Sequence, residues 1–199
     1  MAITVAERPV VTAGGGSAAY TEDAKPAAIA PALAIADTDS ATIAGATVAI
    51  TDRVAGDQLL FTAQNGITGS YDGATGVLTL TGTATRAAYE QALRSVAYAT
   101  GNDNPADGTG NADRVVAFRV TDSGGLQSVA GVTRTVTVAN ANDAPTLTAG
   151  AVHALAGTDE ATTSAAATVA AILAGTGFAD ADTGALGGMA VTGTTGNGT

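Results

Sequence analysis

The sequence contains no cysteine and no tryptophan among its 199 residues, and aromatic residues make up only 4% of it. The absence of cysteine excludes a disulfide framework, a zinc–thiolate site and a thiol nucleophile. His153 is the single histidine, and no partner for nucleophilic catalysis is evident beside it. Acidic pairs occur in loops, without the aromatic platform that glycoside hydrolysis usually requires. The composition therefore predicts that the chain is not an enzyme.

Basic residues are also scarce, since eight Lys and Arg stand against eighteen Asp and Glu, for a net charge of −10. A phosphate-backbone partner needs a cluster of Lys and Arg, so we expect no nucleic-acid partner. An acidic surface is instead suited to holding cations. No apolar run reaches the length that spans a bilayer, so we expect no membrane insertion. The N-terminus lacks a secretory signal pattern, and we expect any export signal to lie elsewhere in a longer protein.

Short segments of alternating apolar and polar residues are separated by turns rich in Gly, Asn and Asp, which is typical of β-strands. Strong turn sequences occur at 65–66, 71–76 and 123–125. The clearest strands are predicted at 47–50, 58–61, 77–80, 115–120 and 132–138. In the last of these, Arg134 lies on the apolar face, and we expect it at an edge or rim.

One short helix is predicted from Thr85 as N-cap to Leu93, because its apolar residues recur at helical spacing. A second is predicted over 168–173, ending at Gly175. We expect Tyr71, Tyr89 and Tyr98 to pack inward. Many short strands with little helix predict an all-β Greek-key sandwich with one short crossover helix.

Two loops have simple structural interpretations. Gly14–Ser17 lacks the Lys and the Ser/Thr of a nucleotide-binding loop, so we interpret it as a flexible turn. The loop from Asp103 to Asp113 is rich in oxygen ligands, but its Asn, Asp, Pro and Gly residues are what turns require, so we favour an exposed hairpin tip over a cation site.

The chain repeats itself across an amide-rich connector at 140–145. Pro9–Gly14 matches Pro145–Gly150 in order and character, and Ala36–Ser40 matches Ala179–Thr183. A repeat of this length is typical of a tandem array. We predict the end of a preceding linker at 1–8, a first module at 9–139, a linker at 140–145 and a partial second module at 146–199.

Each copy contains an Asp-x-Asp pair, Asp37 with Asp39 and Asp180 with Asp182. Carboxylate and amide oxygens collected from separate segments suit a hard cation. A single Asp-x-Asp is more often a solvated loop, so only the joint occurrence of such residues is informative. Further candidate oxygen ligands are Glu22, Asp23, Asp122, Asn140, Asn142 and Asp143.

The order of Thr21-Glu22-Asp23, Asp-x-Asp, Thr121–Gly125 and Asn140-x-Asn142-Asp143-x-Pro145 resembles cadherin-like repeats. The phrases at 67–72, 75–82 and 89–93 are similar to the tandem cadherin-like repeats of very large secreted bacterial adhesins and RTX-type surface proteins. The resemblance covers nearly the whole chain. It implies a cadherin- or immunoglobulin-like sandwich with Ca²⁺ bound at the junctions between repeats.

The resemblance also implies two groups of metal ligands. At the junction between the modules these are Glu22 or Asp23, Asn140, Asn142, Asp143, Asp180 and Asp182. At the outer N-terminal junction they are Asp37, Asp39 and Asp122, joined by ligands from a preceding repeat. The chain departs from the animal cadherin pattern because Asn140 replaces an Asp, because no Asp-Arg-Glu segment matches, and because Ala6–Pro9 lacks the Asn and Asp of the linker.

We therefore expect a structural and adhesive repeat of a long extracellular or cell-surface protein, with junctions stiffened by calcium and with neighbouring repeats as partners. The alternative is a carbohydrate- or protein-binding tip module that recognises a host or surface ligand. An exposed aromatic or apolar patch would favour the alternative.

Overall fold

The computed structural model describes residues 6–106, 111–129, 131–148 and 166–190, with the backbone alone at residue 111. The chain forms two compact units, Met1–Ala141 (unit 1) and Asn142–Thr199 (unit 2). His153 lies outside the described residues. Strands are the predominant secondary structure of the described residues, which also form two helices.

All of the strands in the described residues belong to unit 1, which also contains helix α1. Their bounds are β1 Val10–Thr12, β2 Ala18–Thr21, β3 Ala27–Ala28, β4 Ala34–Ala36, β5 Thr42–Ile50, β6 Asp57–Leu60, β7 Thr68–Asp72, β8 Val77–Thr85, α1 Arg86–Arg94, β9 Ala97–Thr100, β10 Asn111–Asp122 and β11 Val132–Ala139. Four of the five predicted strands lie within β5, β8, β10 and β11, and the predicted strand at 58–61 overlaps β6, which ends at Leu60. The predicted turn at 71–76 is confirmed at 73–76, between β7 and β8, but Tyr71 and Asp72 belong to β7. The short strands β1 to β4 and the strands β7 and β9 were not predicted.

The strands form three sheets. The largest has six strands in the order β2-β11-β10-β5-β8-β7, and the others are β3-β9-β6 and β1-β4. All pairings are antiparallel except β11 with β2, which is parallel. The six-stranded sheet is therefore mixed.

Strand β10 defines the two ends of unit 1, because it runs the length of the large sheet. At its start Asn111 pairs with Ala139, and at its finish Asp122 pairs with Ile43. Twelve residues of strand separate these ends by roughly 35–40 Å. We call the end at Asp122 the N-terminal end, because β1 begins there, and the end at Ala139 the C-terminal end.

A single apolar core connects the strands of unit 1, and its largest fully buried side chains include Tyr89, Tyr98, Phe118, Ile29 and Leu33. Tyr89 and Tyr98 pack inward as predicted, and Tyr71 is half-buried against the core. Tyr20 is buried as well, with its ring edge-on to Tyr98 at a centroid distance of 5.2 Å. The few aromatic rings of the core are therefore surrounded mainly by Ala, Val, Ile and Leu side chains of the strands and of α1.

Helix α1 begins as predicted, with Thr85 Oγ1 accepting a hydrogen bond from the Ala88 N–H. Its charged residues recur every four positions and bond to alternate backbone groups of the β4 segment. Arg94 Nε donates to Leu33 O at 2.7 Å, Glu90 Oε1 accepts from Ile35 N at 2.8 Å, and Arg86 Nη1 donates to Asp37 O at 2.6 Å. Residues four apart on the helix therefore lie opposite backbone groups two residues apart on the strand. We call these three residues the α1 ladder.

Arg134 is not at a rim, which corrects the sequence-based expectation. Its side chain is buried, and the residues bonded to it come from the glycine-rich turn and from Ile29. The guanidinium donates to the carbonyl oxygens of Ile29, Gly14 and Gly15. The glycine-rich turn that we expected to be flexible is thus bonded to the core strand through Arg134.

Unit 2 contains the second helix, α2 Val169–Gly175, with Thr168 Oγ1 as its N-cap. This confirms the prediction for 168–175. A bridge pairs Thr146 with Ala179 in antiparallel fashion. Neither helix of the described ranges has the length and apolar character needed to cross a membrane.

Candidate functional site

The Asp-x-Asp pair of unit 1 lies at the N-terminal end, in the segment between β4 and β5. Asp37 is buried, and its Oδ1 accepts hydrogen bonds from Asp39 N at 3.2 Å and Ser40 N at 2.9 Å. Arg86 of the α1 ladder holds the Asp37 carbonyl. The loop therefore presents Asp37 in a fixed position.

Asp39 is exposed, and its carboxylate receives a bond from the preceding segment. The Glu7 N–H donates to Asp39 Oδ2 at 3.0 Å, and this bond is the main reason that the pKa of Asp39 lies below its ordinary value. The Glu7 carboxylate in turn accepts from Thr38 Oγ1 at 2.5 Å. Asp39 therefore stays ionised at any pH where Glu and Asp side chains are ordinarily charged.

Unit 2 repeats this geometry with its own residues. The Asp182 N–H donates to Asp180 Oδ1 at 2.9 Å, and the Asp143 N–H donates to Asp182 Oδ2 at 2.7 Å. The bridge between Thr146 and Ala179 corresponds to the pairing of Val10 with Ala36. In both units, the residue two positions before the proline thus donates its backbone N–H to the carboxylate of the second aspartate in the pair.

This correspondence identifies Glu7 as a residue that sequence reasoning missed. We interpreted Ala6–Pro9 as a linker that had lost its acidic pattern, but Glu7 has the position that Asp143 has in the second copy. Alignment of Pro9 with Pro145 was the signal that could have found it. The N-terminal end of unit 1 therefore carries the carboxylates of Glu7, Asp37, Asp39 and Asp122.

Asp122 occupies this same end, at the finish of β10, and is almost completely buried. Its Oδ1 accepts from the Leu126 N–H at 2.8 Å, which closes the turn at Ser123–Gly125. At least one oxygen of Asp122 thus has a structural role in that turn.

One atom at the N-terminal end is left without a hydrogen-bond donor. Asp37 is 8% exposed, and its Oδ2 is fully buried and accepts no hydrogen bond from any of the described residues. A buried acceptor that is left without a partner costs about 1–3 kcal/mol, and more when the group is charged. Hard cations are bound by carboxylate oxygens, so the residues present would fit a hard cation such as calcium.

Other predicted ligands lie at the C-terminal end of unit 1, roughly the length of β10 away. Glu22 follows β2 and is buried, whereas Asp23 is an exposed turn residue with a positive φ of 60°. Asn140 follows β11 and bonds through both polar atoms of its side chain to the segment at 104–106. Unit 1 thus separates its candidate ligands into two groups, one at each end.

The segment at 101–106 differs from the exposed tip that we predicted. Pro105 and Ala106 are buried, because Arg114 Nη2 donates to Pro105 O at 2.8 Å and Asn140 Oδ1 accepts from Ala106 N. Residues 107–110 lie outside the described ranges. The turn-forming composition was correctly recognised, but its packing against the end of the sheet was not.

Aromatic side chains do not form an exposed patch. The three phenylalanines and four tyrosines of the sequence all lie in described segments, and each is buried or half-buried. A small groove of about 240 Å³ is lined by Pro9, Val10, Val11, Ser128, Val129 and Val132. It contains no aromatic platform and no charged side chain.

Comparison with family models, with curated proteins and with solved structures gives no match to this chain. The carboxylates and their repeated hydrogen bonds are therefore the basis for assigning a function.

Proposed function

We propose that this chain is a structural repeat of a long extracellular adhesive protein, built from cadherin-like Greek-key sandwiches whose junctions bind calcium. The buried Oδ2 of Asp37, which accepts no hydrogen bond from the described residues, is the observation that carries the calcium assignment. The resemblance of the sequence to cadherin-like repeats and the net charge of −10 support the same interpretation.

The repeated bond from the segment before the proline to the Asp-x-Asp loop supports the array. In unit 1 it joins Glu7 to Asp39, and in unit 2 it joins Asp143 to Asp182. At the N-terminal end of unit 1, four of the eight carboxylate oxygens of Glu7, Asp37, Asp39 and Asp122 already accept hydrogen bonds. At most four are left, which is fewer than the six to eight ligands that calcium takes. In an array, the module that precedes each group would supply the rest, so the ion would cross-link neighbouring modules.

The energetic role of the ion follows from its expected affinity. Extracellular calcium modules bind at roughly 10⁻⁴–10⁻³ M. At tenfold excess, such a site adds only about 1.4 kcal/mol to folding. Unit 1 has a continuous apolar core, so we expect it to fold without calcium. The ion would then change the mobility and protease resistance of the linker at 140–145 rather than the fold.

Calcium titration of the full chain, followed by backbone-amide NMR, tests the assignment. Calcium in the millimolar range is expected to shift the amides of Asp39 and Ser40 in unit 1 and of Asp182 in unit 2. Asp37→Asn should abolish the shift in unit 1 and Asp180→Asn the shift in unit 2, because each replaces the first carboxylate of its pair.

Asp72→Asn is the matched control. Asp72 is exposed, and its two oxygens already accept from Ala74 N and Thr75 Oγ1 within its own turn. This variant should titrate like the parent chain. The scattering profile and the rate of protease cleavage at 140–145 should change with calcium in the parent and not in Asp180→Asn. The weakest dissociation constant expected for such a site is about 1 mM. If a calcium concentration 20 times higher leaves both the amide shifts and the scattering profile unchanged, the calcium assignment is ruled out.

A further inference from the structure

We propose that Asn140 is a positioning residue that, together with Glu22, fixes the path of the chain where it leaves unit 1, and that it does so without a metal ion. We call Glu22, Asn104, Ala106, Asn140 and Ala141 the exit cluster. All five residues belong to unit 1. The inference goes beyond the proposed calcium function and holds whether or not calcium binds.

The side chain of Asn140 uses both of its polar atoms. Oδ1 accepts from Ala106 N at 2.9 Å, and Nδ2 donates to Asn104 Oδ1 at 2.5 Å. The orientation of the amide is fixed by its partners, because the Ala106 N–H can only donate and the Asn104 oxygen can only accept. An aspartate at position 140 could make the first bond, but the second would require the Asn104 amide to turn over and present its NH₂ group. The structure therefore gives a reason for Asn where cadherin linkers carry Asp.

The segment that Asn140 holds is itself anchored to the core. Arg114 Nη2 donates to the carbonyl of Pro105, and its Nε donates to Asp57 Oδ2 at 2.7 Å. Arg114 and Asp57 are both almost fully buried. Asn140 is thus bonded to a segment that the interior of unit 1 keeps in place.

Glu22 fixes the other side of the departing chain. Its backbone N–H donates to Ala139 O at 3.0 Å, and its Oε1 accepts from the Ala141 N–H at 2.6 Å. Ala139 and Ala141 are therefore both bonded to Glu22, and Asn140 between them is bonded to the segment at 104–106. Asn142 provides a contrast, because it is exposed and its side chain donates only to the neighbouring Asp143 carbonyl.

Two roles for Asn140 make opposite predictions for substitution. If it served mainly as a cation ligand, Asn140→Asp would strengthen calcium binding and Asn140→Ala would weaken it. As a positioning residue it anchors the segment at 104–106, so Asn140→Ala should loosen the exit cluster in the presence of a chelator. Asn140→Asp keeps the acceptor for the Ala106 N–H and should loosen the cluster less. The two roles are thus separated by a measurement made without calcium.

The experiment is amide hydrogen exchange on the full chain in EDTA, with the parent, Asn140→Ala, Asn140→Asp and the control Asn142→Ala. Loss of its acceptor should raise the exchange rate of the Ala106 amide about fivefold or more in Asn140→Ala. Asn140→Asp retains an acceptor oxygen for that amide and should raise the rate less. The Ala141 amide keeps its acceptor, Glu22 Oε1, in both variants and should respond less than Ala106 in Asn140→Ala. Asn142→Ala should leave both rates unchanged. The amides of Val116 and Phe118 in β10 report whether a variant has lost global stability instead.

Calcium affinity is measured on the same variants. We expect Asn140→Ala to keep the parent affinity within about twofold, as for a residue outside the coordination sphere. Unchanged exchange of the Ala106 amide in Asn140→Ala would overturn the inference, and so would a tenfold loss of calcium affinity in Asn140→Ala. If the parent binds no calcium, the proposed function fails while the exchange result still decides the role of Asn140.

Discussion

Arg114 Nε lies 2.7 Å from Asp57 Oδ2, and the two side chains are 3% and 0% exposed. The same aspartate accepts from Tyr98 Oη through Oδ1 and from the Val54 N–H through Oδ2. This ion pair is the centre of the polar interior of unit 1, since Arg114 also bonds the Pro105 carbonyl at the C-terminal end.

Replacement of Arg114 by an uncharged residue should strongly destabilise unit 1. Arg114→Met leaves the Asp57 carboxylate buried without its charge partner, which typically costs about 3–5 kcal/mol. All four tyrosines lie in unit 1 and the sequence has no tryptophan, so denaturation followed by tyrosine fluorescence reports this unit. Arg119→Met on the same strand is the control, because Arg119 is exposed, and it should change stability by less than about 0.5 kcal/mol. Equal effects of the two substitutions would contradict the prediction.

Tyr98 should make unit 1 sensitive to alkali. Burial, and secondarily the hydrogen bond to Asp57, raise the pKa of Tyr98 well above its ordinary value of 10. Because the folded pKa is raised, the stabilisation from the neutral phenol is complete below pH 10 and is lost as the pH rises above it. The free energy of unfolding of the parent should therefore fall above pH 10.

Tyr98→Phe tests this dependence. At neutral pH the variant should be about 1–3 kcal/mol less stable, because Asp57 Oδ1 loses its donor. Above pH 10 its stability should fall less steeply than that of the parent, because it has one buried phenol fewer. Parallel pH profiles for the parent and the variant would be incompatible with this account.

Glu90 tests the α1 ladder. Its Oε1 accepts from the Ile35 N–H, and its Oε2 forms an exposed pair with Arg94. Glu90→Ala should cost about 1 kcal/mol or more, because it leaves the Ile35 N–H without its acceptor. Glu90→Gln retains an acceptor oxygen and should restore most of the loss, since an exposed ion pair contributes about 0–1 kcal/mol. Thermal unfolding of both variants provides the measurement, and a glutamine variant as unstable as the alanine variant would show that charge rather than the hydrogen bond matters.

Gly82 should not tolerate a side chain. Its φ is +120°, and a Cβ there would overlap the Gly66 carbonyl oxygen. The Gly82 carbonyl also accepts from Tyr89 Oη at 2.6 Å, which ties this position to α1. Gly82→Ala is expected to lower the free energy of unfolding by at least about 1–3 kcal/mol. Gly15→Ala, in open space without a positive φ, serves as the control in the same denaturation experiment and should be nearly neutral.

The sequence predicts those parts of the fold that depend on local pattern. Strands such as β5 and β10 alternate clearly enough to be recognised, and the cap and apolar spacing of α1 identify the helix. Strands of two to four residues, such as β3 and β4, carry too few positions for a pattern, and their pairing depends on distant partners. The burial of Arg134 could not be predicted, because it depends on contacts with Gly14, Gly15 and Ile29, which lie more than 100 residues earlier in the chain.

The candidate site was predictable to a similar extent. The repeat and the Asp-x-Asp spacing identify Asp37, Asp39 and their counterparts as candidate ligands. Two features of the site could not be predicted from the sequence. The hydrogen bond of Glu7 to Asp39 joins segments 32 residues apart. The lack of a hydrogen-bond donor for Asp37 Oδ2 is known only when the residues around it are located in three dimensions. The role of Asn140 likewise depends on a loop 36 residues earlier in the chain.

The α1 ladder has a consequence for contacts between molecules. A strand at the margin of a sheet normally offers unpaired N–H and C=O groups to any extended segment that approaches it. Along β4 these groups already have partners in Arg86, Glu90 and Arg94. A foreign strand would have to displace three charged side chains before it could add there, so the helix shields this margin against intermolecular strand exchange where many copies are crowded together.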